Sequence, residues 1–93
     1  MKVYALVARI DDCYTSTTLL GIYPAKFDAV DAAAEKFSNV VMANEDPTAW
    51  IADNHLISLE DRTSMVVAQM RGVNTHDGCN EDVDIAVLEF GLK

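Results

Sequence analysis

Four side chains of this sequence could bind a soft metal: Cys13, His55, His76 and Cys79. Zinc sites legible from sequence place ligands in two pairs, each pair two to five residues apart. Here only His76 and Cys79 are close, and no second pair exists. The reading is therefore a loop histidine and a buried thiol, with no metal. The run from Asn74 to Asp84 is rich in oxygen ligands suited to calcium. With Gly78 as the sixth position of a calcium loop, Asp77 falls at the fifth, but Thr75 and Val73 fall at the third and first, so the pattern fails. Nucleophilic catalysis needs a Ser, Cys or Thr beside a base. Cys13 instead follows Asp11-Asp12, which would raise a thiol pKa. There is no Gly-x-Ser-x-Gly, and the four glycines (Gly21, Gly72, Gly78, Gly91) are too scattered to cradle a phosphate. The expectation is a non-enzymatic protein with no cofactor.

Carboxylates are the remaining chemistry. The 93 residues hold fifteen Asp and Glu against seven Lys and Arg, a formal net charge of −8. That charge opposes phosphate binding, which needs clustered Lys and Arg. Apolar residues make up 51% of the chain, too many for a disordered acidic tail. The acidity is uneven. Residues 1–44 carry five acids and four bases, whereas 45–93 carry ten acids and three bases. Between Asn74 and Phe90 stand Asp77, Glu81, Asp82, Asp84 and Glu89, with no Lys or Arg. Such carboxylates attract basic grooves, and phosphate-like separations let them compete with nucleic acid for those grooves. The alternative is that acidity serves solubility alone.

These groups need a frame, and the length suits one small domain, 1–93. The longest apolar run, Val3 to Ala8, is six residues, too short to span a membrane. No basic stretch precedes an apolar one at the start, so no secretory signal is expected. Two cysteines are few for a small secreted domain. A cytoplasmic protein with reduced thiols is expected; one disulfide joining Cys13 and Cys79 is the alternative.

Val3–Ile10 is β-branched, aromatic and apolar on both faces, which reads as a central strand. Thr18–Tyr23 reads as its antiparallel hairpin partner, ended by Pro24. Residues 27–41 read as a long helix lying across the sheet. Phe27, Val30, Ala34, Phe37 and Val41 would form its apolar stripe, and Asp28, Asp31, Glu35 and Asn39 its solvated face. Asp46-Pro47 suggests a helix start, and His55–Leu59 a short strand. Residues 59–71 have two readings. Ser58 as cap, acids at 60 and 61, Arg71 in the last turn and Gly72 beyond it favour a second helix. The alternation of Val66, Ala68 and Met70 with Val67, Gln69 and Arg71 supports a strand. Residues 73–82 read as loop. Val83–Phe90 reads as an internal strand, with Val83, Ile85 and Val87 on one face and Ala86, Leu88 and Phe90 on the other. The class is α+β: a small, mostly antiparallel sheet centred on the first hairpin and the last strand, with one long helix and a candidate second packed on one face.

Val3–Ile10, then Leu20-Gly21-Ile22-Tyr23-Pro24-Ala25-Lys26, then Ala29 to Phe37 resembles a layout common among small phage proteins. The likeness covers about the first 40 residues. Acidic phage accessory and anti-defence proteins of this size include inhibitors of restriction, CRISPR and base-excision enzymes, several of them DNA mimics. The resemblance implies that class and carries over no functional residue. The functional expectation is a binding protein that engages a host nucleic-acid-handling protein with a basic surface. Asp77, Glu81, Asp82, Asp84 and Glu89 would make the contact, with Tyr14 as an exposed aromatic. A small structural or oligomerising protein is the alternative.

Overall fold

The computed structural model describes residues 1–11, 15–43, 66–76 and 78–91. In chain order these form β1 (Lys2–Asp11), β2 (Thr15–Tyr23), α1 (Lys26–Lys36), β3 (Ser38–Met42), β4 (Val66–His76) and β5 (Cys79–Gly91). The five strands make one sheet in the order β2-β1-β5-β4-β3, and every neighbouring pair is antiparallel. This is the expected α+β class, with far more sheet than helix. The expected centre is only partly right. β1 and β5 are internal, but β2 lies at an edge.

The two internal strands are apolar on both faces because both faces are buried. Leu6, Ala8, Val83, Ile85 and Val87 point towards α1, where they meet Ala29, Ala33, Phe37, Ala68 and Met70. Ala5, Val7, Ala86 and Leu88 form a smaller cluster on the opposite face, with Val66 and Phe90 against it. The pairings Leu6↔Val87, Val7↔Ala86, Ala8↔Ile85 and Arg9↔Asp84 show the period of two that sorts these residues.

The helix is shorter than expected, and its buried stripe differs. It ends at Lys36, with Phe37 as C-cap donating its N–H to the Ala33 carbonyl at 3.0 Å. Residues 38–42, the tail of the expected 27–41 helix, are β3 instead. Val40 and Val41 are β-branched and suit a pleated surface. Asn39 stands at φ 54, a left-handed conformation that Asn tolerates and that no helix contains. The register of β3 on β4 breaks there, between Ser38 and Val41. Ala29 and Ala33 are fully buried against the sheet, whereas Phe27 is 74% exposed. Small side chains let the helix approach closely, so the alanines and not the first aromatic define its inner face.

Of the two readings of 59–71, the candidate second helix is corrected and the strand alternative holds over 66–71. Residues 59–65 lie outside the described residues, and 66–71 begin strand β4. Helix signals within one segment lose here to pairing on two sides, with β5 along nearly the whole strand and with β3 over part of it. Gly72 records how tight that packing is. A Cβ there would lie 3.1 Å from Phe37 Cβ and from Val40 Cγ2, and 3.4 Å from Ile85 Cδ1.

The expected loop over 73–82 is a hairpin. Its strands pair from Val73↔Asp82 out to His76↔Cys79 and leave two residues between them. Gly78 has φ +81, which two-residue hairpin turns require and glycine provides at little cost. The Asp77-Gly78 pair is the sequence signal that marks this turn. The helix start at Asp46-Pro47 and the strand at 55–59 lie outside the described residues.

Candidate functional site

The period of the strand decides where the candidate acids go. Glu81 and Glu89 share the α1 side of the sheet with Val83, Ile85 and Val87, and Asp82 and Asp84 lie on the other side. Glu81 and Glu89 are eight residues apart, about 27 Å along an extended strand. The four described acids therefore do not form one patch. Asp77 and Tyr14 lie outside the described residues.

Two of the four are engaged within the sheet. Asp84 has 19% of its side chain exposed and sits between two arginines. From β1, Arg9 donates Nε to Asp84 Oδ2 at 3.2 Å and a terminal nitrogen to the same oxygen. From β4, Arg71 Nε lies 3.4 Å from Oδ1. The pairings Arg9↔Asp84 and Arg71↔Asp84 place all three side chains in one row across three adjacent strands. Cross-strand opposite charges of this kind stabilise a sheet. Arg9 and Arg71 are 75 and 13 residues from Asp84 in number only, and strand register unites them.

Glu89 is held differently. Lys2 Nζ lies 3.2 Å from Glu89 Oε1, and Tyr4, opposite Glu89 in the β1–β5 register, shares a hydrogen bond with it. The Lys2 hydrogen bond, then that of Tyr4, holds the Glu89 carboxyl below the usual range. Desolvation, followed by the bond to Glu89, raises the Tyr4 phenol above its ordinary value. The arrangement is a structural ion pair near the end of the sheet.

Glu81 is half-buried and Asp82 exposed. Among the described residues the longest row of exposed acids lies elsewhere. Asp28, Asp31 and Glu35 are all exposed on α1, spaced three and four residues apart, so they line one helical face. At 1.5 Å per residue they are separated by about 4.5 and 6 Å along the axis. Counting charge by halves of the chain hides this row, because Lys26 and Lys36 nearly balance it in the total. The sequence places these three acids on the solvated face of the helix, and what the count by halves hides is their candidacy as a contact.

Cys79 is a free, exposed thiol, so the expected buried position is corrected. Cys13 and His55 lie outside the described residues. Among the described residues no group of three or more His, Cys, Asp or Glu could hold a metal ion. No described helix is long and apolar enough to cross a membrane.

A groove of about 370 Å³ opens on the face away from α1. Val3, Ala5 and Val7 of β1, Leu19 and Ile22 of β2, and Leu88 and Phe90 of β5 line it. It presents almost no polar group, so it offers no means of orienting a reacting substrate. Gln69 Oε1, on the same face, is buried without a hydrogen-bond partner. Compared with known protein families, curated proteins and solved structures, the chain matches none.

Proposed function

We propose that this chain is a non-enzymatic binding protein that engages a partner with a basic, nucleic-acid-handling surface, in the manner of a phage-type inhibitor. The observation that supports this is the exposed row Asp28, Asp31 and Glu35 on a helix anchored to the sheet by Ala29 and Ala33. A rigid helix holds carboxylates at separations close to those of successive phosphates. Asp82 at the hairpin end adds to the field, and Glu81 contributes from the α1 side of the strand. Asp84 and Glu89 serve the sheet and not the contact, since arginines and Lys2 already neutralise them.

The test compares the natural chain with a variant carrying Asp28→Asn, Asp31→Asn and Glu35→Gln. Both are used for affinity capture from host lysate at low and high salt. The expected result is a nucleic-acid-binding protein retained by the natural chain at low salt and lost at high salt or with the variant. Capture that the triple variant leaves unchanged would overturn this assignment of the contact. A second reading, an oligomerising protein whose acidity serves solubility only, is favoured by the uncharged edge of β2 with its exposed Leu19 and Ile22.

A further inference from the structure

We propose that the outer edge of β2 is the seam of a homodimer, where a second copy lays its own β2 antiparallel to the first. This does not rest on the inhibitor reading. Among the described residues β2 ends the sheet on one side and has no neighbour beyond it. Its nine residues, Thr15–Tyr23, include no charged residue and no proline. Edge strands are normally blunted by lysine, proline or irregularity, because their free N–H and C=O groups template pairing. The one irregularity here is a bulge at Leu20, which leaves regular runs on either side.

Charge selects this edge for a second copy. A two-fold contact sets each residue near its own counterpart, so an acid close to the axis meets the same acid. Each copy carries −8, and identical copies repel across α1, with Asp28, Asp31 and Glu35, or across the hairpin end, with Glu81 and Asp82. The edge at β3 is also uncharged but has only five residues, and Asn39 breaks its register. β2 is the long neutral edge.

Apolar exposure coincides with it. Leu19 is 49% exposed and Ile22 61%, and Phe27 follows four residues after the strand. Leu19 and Ile22 also border the groove on the face away from α1. A two-fold axis normal to the sheet keeps both grooves on one side, so Leu19 and Ile22 of each copy close the open flank of the other. The strand edge alone is about 30 Å long and covers about 300 Å². A standard stable interface needs about 800 Å² per partner. Side chains flanking the edge, Leu19 and Ile22 first, must add to it for a stable dimer, and the quality of their packing, not the area, sets the affinity.

Sedimentation velocity of the full chain, in reductant, at about 1 and about 100 μM tests this. The expected result is a shift from monomer to dimer with concentration, and a larger dimer fraction at higher salt. Screening relieves repulsion between like-charged copies, whereas it weakens binding to a basic partner. The two readings therefore fail separately. Leu19→Lys with Ile22→Lys should weaken dimerisation at least about tenfold, because an edge lysine blocks pairing. Ile22→Lys alone, at the more exposed position, is used if circular dichroism shows the double variant unfolded. Val41→Lys with Met42→Lys, on the β3 edge, should leave the dimer intact. A monomer at every concentration and salt overturns the proposal. So does a dimer that survives the β2 lysines, one lost only on changing the β3 edge, or open-ended growth beyond two copies.

Discussion

Asp84 shows how one residue changes meaning when its neighbours are known. In the sequence it belongs to a base-free acidic stretch; in the sheet it is the middle of an Arg9–Asp84–Arg71 row. Removing it leaves two guanidiniums adjacent on half-exposed side chains, so the cost lies between that of an exposed and a buried ion pair. Asp84→Ala should lower stability by about 1–2 kcal/mol in denaturant unfolding. It should leave partner capture unchanged. Glu89 makes the corresponding statement about pH. Its folded pKa lies below the unfolded value, so it contributes stability that is present above the unfolded pKa and lost as pH falls through the folded one. Lys2→Met removes the largest cause of that shift. In NMR titration the Glu89 carboxyl should then move up towards its ordinary value, with less stability lost on acidification. Tyr4 has the opposite sign, since its raised pKa contributes stability that is lost as pH rises through the folded value.

At the scale of elements, β1 and β5 were legible, β4 was one of two readings of its segment, and β3 was not legible. Val3–Ile10 and Val83–Phe90 alternate between two apolar faces, and that local pattern has only one good use, an internal strand. The helix was legible in kind but not in extent or orientation. Its inner face is made of alanines, which carry little hydrophobic signal, while Phe27 carries a strong one and faces outwards. Close contact between α1 and the sheet is therefore the consequence to test. Ala33→Leu places three more carbons where no exposure remains and should cost about 1–3 kcal/mol of stability through overpacking. The same change at the exposed Ala34 should be nearly neutral, and parallel thermal melts compare the two. Residues 66–71 failed as a helix for a different reason. Arg71 and Gly72 fit a helix end within the segment, but a strand there pairs with β5 and β3 and lets Gly72 admit Phe37, Val40 and Ile85 closely.

Across the whole molecule, charge opposes compaction. Fifteen acids face seven bases, and several of those bases are committed to pairs within the sheet. Self-repulsion of a net −8 chain destabilises the folded state, and salt screens it more than it weakens the sheltered Asp84 pairs. The thermal midpoint at low protein concentration should therefore rise by a few degrees between low and high salt. A fall would show that ion pairs dominate over net repulsion. The split of the acids between sheet faces and helix also explains why a net total said little about a contact. The same −8 includes carboxylates that hold strands together and others that face outwards from α1.

The sequence by itself determined the coarse α+β fold class, the acidity, the two internal strands and the presence of one amphipathic helix. Each of these rests on composition or on periodicity within a short window, where neighbours in the chain are neighbours in space. The tertiary structure alone decided that residues 38–42 are a strand, which of its two readings the segment 66–71 takes, that β2 lies at an edge among the described strands, and that Asp84 meets both Arg9 and Arg71. Those outcomes depend on pairing between segments far apart in the chain. A one-residue change of register would send Asp84 to the other face, and no local window contains that information.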